Sequence, residues 1–536
     1  MSLRLPLSIL TLTALTFVSG CQVAPQAPWQ PDRGDGSYRN PVLHADYSDP
    51  DAIRVGERYY MTASSFNYVP GLPLLESTDM VNWQLVGHAL PRLVPEAAFA
   101  APEYGKGVWA PCLRWHDGKF WIFYPDPDHG VYVITAEKFA GPWSTPHLLL
   151  PGKGIIDPTP LWDDDGNAYL LHAWAKSRAG INNILTLRRM APSGRTLLDT
   201  KGTDIIDGNR LPGYKTLEGP KFYKANGWYY VFAPAGGVAE GWQSVFRSRA
   251  ITGPYEERIV MDQGGSAVNG PHQGAWVQAP DGKDWFFHFQ DKKAYGRIFH
   301  LQPMRWVDGW PIIGADGARP GVGQPVPSHA KPVTGGVIAA PPASDEFASP
   351  ALGLQWQWNV NPQPEWASLT ARPGVLRLAT QAVPAARDYV RAAPILSQKV
   401  PAPAFTVQTH VALSNAQDGD RAGLIVDGMQ YAWLGLKRTG AATQLVYTEC
   451  APFVMRCTES SKVLLDDSPS AMHLRLEWRD GAAVQFSYSA DGKTFTPTRR
   501  VFSAMPGRWV GATLGLFSVG ERAGGYADID YFRITP

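Results

Sequence analysis

Five stretches of the chain share one arrangement of polar and apolar positions. Each opens with a polar or aromatic residue, carries a large apolar residue four positions later and reaches a glycine that in four of the five follows Asp or Asn. An aromatic run, such as Trp228-Tyr229-Tyr230, comes after the glycine. Apolar strands that flank an Asp-Gly or Asn-Gly turn predict a β-hairpin. The apolar positions are Ile53, Leu113, Leu161, Phe222 and Trp276, and the glycines are Gly56, Gly118, Gly166, Gly227 and Gly282.

The glycines of these repeats are 62, 48, 61 and 55 residues apart. Intervals of this size suit one four-stranded sheet each, and repeated four-stranded sheets are typical of a β-propeller. The pattern therefore predicts an all-β domain with five propeller blades over residues 38–320. No stretch of the mature chain has the period of a long amphipathic helix.

The first residues of the five repeats carry functional groups. In a propeller the innermost strand of every blade begins near the central axis, so residues at this repeat position converge although they are distant in sequence. Taken singly, an Asp before Pro is most often a turn residue, and a lone His is most often a core residue. Three carboxylates, an indole and an imidazole at one repeat position instead predict a functional site on the axis. The five residues are Asp49, Trp109, Asp157, Glu218 and His272.

The chain changes character after the fifth repeat. Residues 321–342 are rich in Pro, Gly, Ala and Val and lack strand alternation, which indicates a linker. Beyond it, alternating runs such as Leu474-Arg-Leu-Glu-Trp and turns such as Asp491-Gly492 predict a β-sandwich over residues 343–536. This second domain has no recognisable catalytic cluster.

The N-terminus has the pattern of an export signal. Arg4 precedes an apolar run over residues 5–18, which is too short for a comfortable transmembrane helix. The run ends in Val-Ser-Gly-Cys21, which resembles the cleavage site of bacterial lipoproteins, and a tether rich in Pro and Gln follows over residues 21–37. An ordinary secretory signal with a chance cysteine is the alternative. We expect residues 1–20 to be removed, Cys21 to carry lipid, and the protein to be an exported lipoprotein that meets the membrane only through this anchor, on its periplasmic or cell-surface side.

Export also bears on the other three cysteines. Cys450 and Cys457 lie seven positions apart across an apparent loop of the second domain, and an oxidising compartment favours a disulfide between them. Cys112 has no evident partner. We expect it to be a small buried apolar residue.

Charge and composition narrow the class of partner. The 49 basic and 48 acidic residues leave a formal charge of +1, so the chain has no field that would attract nucleic acid. Aromatic residues make up 12% of the chain, and their ring faces suit the C–H faces of sugars, although β-cores are also rich in them. Composition thus mildly favours a neutral carbohydrate partner. The chain contains no phosphate loop, zinc-ligand spacing or nucleophile elbow.

Ordered motifs over residues 38–320 resemble glycoside hydrolase family 43. They are Asn40-Pro-Val-Leu, Ser48-Asp-Pro-Asp, Trp109-Ala-Pro, Ile156-Asp-Pro and Leu217-Glu-Gly-Pro. Ser344-Asp-Glu-Phe and Gly353-Leu-Gln-Trp-Gln-Trp resemble the concanavalin-like β-sandwich that follows many propellers of this family. The resemblance implies that Asp49 is the general base, that Glu218 is the general acid, and that Asp157 orients the acid and modulates its pKa. It also implies that the subsite of the terminal sugar is lined by Phe66, Trp109, His272 and Arg297.

Such a set of carboxylates suits hydrolysis of a glycosidic bond with inversion. One carboxylic acid protonates the leaving oxygen, and a second carboxylate about 6.5 to 9.5 Å away activates a water on the other side of the sugar. The third disfavours ionisation of the acid by its like charge. By resemblance we expect an exo-acting enzyme that releases terminal arabinofuranose or xylose from plant cell-wall polysaccharides and oligosaccharides. It would be an α-L-arabinofuranosidase, a β-D-xylosidase or both, and the sequence does not decide between the two sugars.

This chemistry requires no cofactor, although His272 could help to hold a structural calcium ion or a water on the axis. Two other functions are alternatives. A sugar-binding protein on a catalytically inactive propeller is disfavoured by the three carboxylates. A retaining five-bladed hydrolase of fructosides is expected to carry an early Asn-Asp-Pro-Asn-Gly motif, where this chain has Ser48-Asp-Pro-Asp-Ala.

Overall fold

A computed structural model describes residues 27–383, 393–451 and 458–536 of the chain. Cys21 and Cys457 lie outside these ranges, so the predicted lipid anchor and the predicted disulfide partner stay predictions. The described part is almost entirely β-structure. Its helices are one short α-helix, Lys176–Ala179, and the 3-10 turns Glu96–Phe99, Gly208–Arg210, Lys293–Tyr295 and Pro364–Trp366. None of them is long and apolar enough to cross a membrane.

The five predicted blades are present as five antiparallel sheets in chain order. The strands are Asp51–Val55, Arg58–Thr62, Gly71–Ser77 and Gln84–Leu90 in blade 1; Cys112–His116, Lys119–Asp126, Gly130–Ala136 and His147–Pro151 in blade 2; Ile155–Trp162, Ala168–Trp174, Ile184–Met190 and Thr203–Asp207 in blade 3; Lys221–Ala225, Trp228–Ala235, Trp242–Ser248 and Glu256–Met261 in blade 4; and His272–Gln278, Asp284–Asp291, Arg297–Val307 and Trp310–Ile313 in blade 5. The repeat glycines form the turn between the first two strands of each blade. All five have φ between 60° and 84°, a conformation that glycine adopts at little cost.

The ring of blades is closed by packing rather than by one shared sheet. The first strand of blade 5 contacts the first strand of blade 1. The segment before blade 1 also crosses to the end of the domain, where Leu43 forms a β-bridge with Phe299 of blade 5 and Ser37–Arg39 pairs with Ser328–Ala330. Gly323–Gln324 extends the edge of the blade 4 sheet and also pairs with Ala315–Asp316. The first part of the predicted linker therefore lies against the propeller.

The C-terminal part is a sandwich of two sheets. In Phe405–Ser414 buried and half-buried residues alternate strictly, as a strand with one face on a core requires. One sheet contains Gln357–Trp358, Gln381–Ala382, Leu396–Lys399, Arg421–Asp427, Ala432–Thr439, Ala442–Ala451, Thr458–Leu465 and Thr513–Gly520. The other contains Ala367–Ser368, Leu376–Ala379, Phe405–Ser414, Ala471–Arg479, Ala483–Ser489, Thr496–Ser503 and Tyr526–Thr535. The predicted propeller and sandwich architecture is confirmed.

The sandwich packs closely on blades 1 and 5. Val69 of blade 1 forms a β-bridge with Trp358, and the side chain of Asn361 exchanges two hydrogen bonds with the backbone of Leu93, at 2.8 and 3.0 Å. On the blade 5 side, Ala512 donates its backbone N–H to the carbonyl of Ala294 at 2.8 Å. These contacts bring the loop 504–512 of the sandwich to the mouth of the propeller.

Candidate active site

The starts of the inner strands converge on one pocket of about 310 Å³. Asp49 and Asp157 have positive φ values of 52° and 54°, and Asp157 sits in a bulge of its strand between Ile156 and Thr159. Left-handed backbone at a non-glycine residue is costly and is concentrated at functional sites. Six of the seven predicted site residues line this pocket: Asp49, Phe66, Trp109, Asp157, Glu218 and Arg297.

Asp49 is buried and held from three sides. Its Oδ2 accepts hydrogen bonds from the hydroxyls of Ser48 and Ser64, at 2.7 and 2.6 Å. Arg297 Nη1 lies 2.9 Å from Oδ1 and 3.1 Å from Oδ2, and it also donates to Ser48. Since Oδ2 receives most of these donors, Oδ1 keeps a lone pair for a water molecule. Arg297 therefore forms an ion pair with Asp49 at the wall of the pocket.

The buried carboxyl group of Asp157 is within electrostatic reach of both Asp49 and Glu218. Its Oδ2 accepts the backbone N–H of Gly219 at 2.8 Å, so it contacts the segment that carries Glu218. Burial, reinforced by the neighbouring charge of Glu218, raises the pKa of Asp157 to about 8. Asp157 thus keeps its proton at neutral pH, next to Glu218.

Glu218 is the more accessible of these two carboxylates. Its side chain is 29% exposed, and its Oε1 lies 3.2 Å from Nε2 of His272. His272 is fully buried behind Glu218, packs against Phe289 and is absent from the pocket wall. An Nε2–H tautomer of His272 would donate to Oε1 and leave the other oxygen of Glu218 free to carry a proton toward the pocket.

Aromatic side chains form one wall of the pocket. Phe66 and Trp109 have ring centroids 6.3 Å apart, and Trp109 donates its indole N–H to the Gly105 carbonyl at 3.0 Å. Trp509 of the sandwich stands edge-on to Trp109, with ring centroids 6.1 Å apart. The guanidinium of Arg178 lies 5.4 Å from the Trp109 ring. Aromatic rings of this kind can pack against the C–H face of a sugar. Phe66 and Trp109 were predicted to line such a subsite.

Several pocket residues were not predicted from the sequence. Trp509 is the most distant, since it comes from the sandwich domain, in which no functional cluster was recognised. Gln273, next to the predicted His272, has φ 43°, and a left-handed residue at a repeat start is a signal that only the backbone reveals. The other unpredicted wall residues are Ala110, Ile156, Thr216, Gly237 and Val238.

The cysteines outside the pocket show two environments. Cys112 is a free, fully buried thiol 3.5 Å from the hydroxyl of Thr159, as predicted, and burial raises its pKa to about 12. Cys450 is buried and disulfide-bonded. Its predicted partner Cys457 lies outside the described residues.

The family is identified by its sequence pattern. The pattern of glycosyl hydrolases family 43 matches residues 38–311, which is about half of the chain and includes all seven predicted site residues. The chain belongs to glycosyl hydrolases family 43. The pattern of the β-xylosidase C-terminal concanavalin A-like domain matches residues 344–535, in the sandwich. A member of family 43 with its three carboxylates in one pocket is an enzyme that hydrolyses glycosidic bonds.

Relatives within family 43 match this chain over both domains. The putative β-xylosidase of Xylanibacter ruminicola is 40% identical over 486 residues, which cover 90% of this chain and 86% of that protein. The non-reducing end α-L-arabinofuranosidase BoGH43B of Bacteroides ovatus is 28% identical over 526 residues, which cover 92% and 94%. Among solved structures, a bifunctional GH43-CE protein of Bacteroides eggerthii superposes with a TM-score of 0.79 at 30% identity. That match covers 92% of this chain but 63% of the other, so this chain spans less than two thirds of that protein.

Proposed function

We propose that this protein is an inverting, exo-acting glycosidase that releases terminal xylose from plant cell-wall polysaccharides and oligosaccharides. The observation that carries the proposal is the meeting of Asp49, Asp157 and Glu218 in one pocket with an aromatic wall. Xylose is placed first because the relative at 40% identity is named a putative β-xylosidase. Terminal arabinofuranose is the second candidate, since the relative at 28% identity is named an α-L-arabinofuranosidase.

The contacts of the carboxylates support one division of roles. Asp49 is anchored by Ser48, Ser64 and Arg297 with Oδ1 toward the pocket, which suits a general base that orients a water. Glu218 is the more exposed of the two carboxylates and lies beside the proton that Asp157 keeps, which suits a general acid. Asp157 keeps this proton near Glu218 because burial and the charge of Glu218 raise its pKa, and it orients the segment of Glu218 through Gly219. These assignments agree with the roles that the family resemblance implies.

The size of the pocket supports attack on chain ends. About 310 Å³ is at the lower limit of small-molecule sites, which suits one sugar ring rather than a run of several. Trp509 adds a further ring beside Trp109 to the wall of the pocket. We therefore expect the enzyme to bind a single terminal sugar in the pocket.

Rates on two aryl glycosides test the substrate. We expect hydrolysis of 4-nitrophenyl β-D-xylopyranoside with a higher kcat/KM than of 4-nitrophenyl α-L-arabinofuranoside, and xylose release from xylobiose. A higher kcat/KM on the arabinofuranoside would make arabinofuranose, rather than xylose, the preferred terminal sugar. No hydrolysis of either glycoside, with sugar binding retained, would instead favour the inactive binding propeller.

The stereochemistry of the product tests the mechanism. A base that activates water on the side opposite to the acid yields a sugar with inverted anomeric configuration. Proton NMR during turnover of the aryl β-xyloside should therefore show α-xylose first and β-xylose only as mutarotation proceeds. First-formed β-xylose would contradict the role of Asp49 as a base and would indicate a nucleophile.

The calcium ion suggested for the axis has little support from the donor set. Calcium takes six to eight oxygen ligands, whereas His272 offers one buried ring nitrogen, Nδ1, without a partner among the described residues. Within the described ranges no three His, Cys, Asp or Glu side chains come together in a way that could hold a metal. We propose that catalysis is metal-independent and that Nδ1 meets a water. Equal aryl xyloside rates before and after dialysis against a chelator are expected.

We propose further that the mature enzyme is a lipoprotein attached at Cys21. The support is the apolar run over residues 5–18 and the Val-Ser-Gly-Cys21 ending. In a bacterial host, wild type should fractionate with membranes and Cys21→Ala should appear in the soluble exported fraction with unchanged kcat/KM. Membrane fractionation of Cys21→Ala like that of wild type would contradict the anchor.

A further inference from the structure

Asp46 joins the two domains directly behind the active site. It lies three residues before the base Asp49 and is only 6% exposed. Its Oδ1 accepts the backbone N–H of Arg297 at 2.9 Å, and its Oδ2 accepts the backbone N–H of Gly511 at 2.9 Å. Arg297 belongs to the propeller and pairs with Asp49, whereas Gly511 belongs to the sandwich. A single carboxylate therefore holds the backbone of both.

The propeller and sandwich backbones can approach here because residues 296 and 511 are both glycine. A Cβ on Gly511 would lie 2.7 Å from the backbone N of Gly296, a distance that real Cβ atoms essentially never show. A Cβ on Gly296 would in turn overlap the Asp46 carboxyl group. The adjacent hydrogen bond from Ala512 to the Ala294 carbonyl, at 2.8 Å, completes the contact. The loop 504–512 of the sandwich is thus docked against the turn that precedes Arg297.

The docked loop carries one ring of the aromatic wall of the pocket. Trp509 stands two residues before Gly511 and has φ 66°, an unfavourable conformation for a bulky residue. The loop is closed by a backbone hydrogen bond from Gly507 to the Gly511 carbonyl at 3.3 Å. Because Trp509 contacts the propeller through the ring of Trp109, its position depends on where the loop is fastened. Asp46 fastens it at Gly511.

Burial makes both hydrogen bonds of Asp46 important. Burial raises the pKa of Asp46, although the nearby cation of Lys399, on the sandwich, and the two backbone N–H donors oppose the shift. Asp46 and Lys399 line one small interdomain cavity of about 10 Å³ together with Ser64, the donor to Asp49. A buried carboxylate with good donors makes hydrogen bonds roughly twice as strong as neutral ones. The arrangement therefore links the sandwich to the base through Arg297 and to the sugar wall through Trp509.

We propose that Asp46 is a positioning residue that couples docking of the sandwich to the catalytic pocket. It sets the backbone of Arg297, which holds Asp49, and the loop of Trp509, which bounds the sugar. The kinetic part of this inference rests on the proposed function, because it uses the hydrolysis of an aryl xyloside as its readout. The structural part does not.

The isosteric change Asp46→Asn tests the proposal. The amide can accept only one of the two backbone N–H groups and turns its own NH₂ toward the other, so one hydrogen bond becomes a repulsive contact. We expect kcat/KM on the aryl xyloside to fall about 10- to 100-fold, with a rise in KM from the displaced wall and a fall in kcat from the displaced Arg297.

Asp345→Asn is the matched control. Asp345 also accepts hydrogen bonds with both carboxylate oxygens, from the backbone of Phe347 at 2.8 Å, the indole of Trp356 at 2.9 Å and the backbone of Gly353 at 3.3 Å, but all of these lie within the sandwich. We expect this variant to lower the melting temperature without lowering kcat/KM. An equal loss of kcat/KM in both variants would assign the effect of Asp46 to general destabilisation.

A double-mutant cycle separates the two routes. If Asp46 acts on KM through the loop, Asp46→Asn should raise KM in wild type but add little in a Trp509→Ala background. The fall in kcat should persist there, because Arg297 is still displaced. Effects that multiply fully across the cycle would overturn the coupling through Trp509.

Trypsin gives a readout that needs no activity. The exposed Arg508 lies in the loop, next to Trp509. Release of Gly511 should make cleavage after Arg508 several-fold faster in Asp46→Asn than in wild type or Asp345→Asn, as followed by mass spectrometry. Equal cleavage in all three proteins would overturn the docking role of Asp46. A wild type that hydrolyses no pentoside would contradict the proposed function alone.

Discussion

Glu218→Gln is expected to lower kcat/KM by about 10² to 10⁴ on xylobiose and by much less on an activated aryl xyloside. A sugar leaving group departs as a poor alkoxide unless it is protonated, whereas an activated phenolate departs without help. Glu218 is the carboxylate that can deliver this proton, since its side chain is 29% exposed and lies beside the proton that Asp157 keeps. Glutamine keeps the size of the side chain and removes the proton.

Asp49→Ala is expected to lower kcat/KM on both substrates alike, by about 10² to 10⁴. Water must be activated whichever group leaves, so the loss does not depend on the leaving group. The substitution also removes the partner of Arg297, whose Nη1 donates to both oxygens of Asp49. Arg297 would then lose its ion pair and keep only the hydrogen bond to Ser48, which adds to the loss on both substrates.

Steady-state kinetics of each variant on both substrates, with wild type and Glu346→Gln, measures this difference. Glu346 is half-exposed on the sandwich, where it pairs with Arg533, and its change to Gln should leave both rates unaltered. A leaving-group dependence in Asp49→Ala, with equal losses in Glu218→Gln, would exchange the two roles. Full activity of either variant on xylobiose would remove that carboxylate from the mechanism.

The sequence was sufficient to predict the blades and the residues on the axis. The reason is local: each repeat contains its own hairpin turn and its own apolar positions, so the same type of sheet is predicted five times. Asp49, Asp157 and Glu218 follow from the same register, because each stands at the start of an inner strand. The left-handed backbone that aims the first two into the pocket has no counterpart in apolar periodicity.

The contribution of the sandwich could not be predicted. Trp509 contacts Trp109 across 400 positions, and neither residue carries a local signal of the other. In the sequence Asp46 is not distinguished from other polar residues before Asp49. Its role depends on the close approach of two backbones at Gly296 and Gly511, which the sequence does not indicate. Domain docking depends on the shapes of finished surfaces, which hydrophobic patterning along a strand does not encode.

Asp157→Asn is expected to lower activity at neutral pH and to move the basic limb of the pH profile to lower pH. Wild type keeps a proton beside Glu218 because burial and the charge of Glu218 raise the pKa of Asp157 to about 8. Asparagine cannot hold this proton, so the variant lacks the proton reserve next to the general acid as pH rises through the neutral range. The oxygen of the new side chain can still accept the N–H of Gly219, which limits structural change. The measurement is kcat/KM on xylobiose from pH 4 to 9.

The same variant should be more stable than wild type, by a margin that grows with pH. The pKa of Asp157 is raised in the folded state, so its contribution to stability is complete below the ordinary value of 3.8 and is lost as pH rises toward about 8. Asparagine does not titrate, so the difference in melting temperature between variant and wild type should widen from pH 4 to pH 8.

Asp420→Asn is the control, because burial also raises the pKa of Asp420, in the sandwich. Its melting temperature relative to wild type should also rise with pH. Its pH profile of activity should be the same as that of wild type. A constant difference in melting temperature for Asp157→Asn, with an unmoved basic limb, would mean that Asp157 is ionised at neutral pH and acts on Glu218 through Gly219 alone.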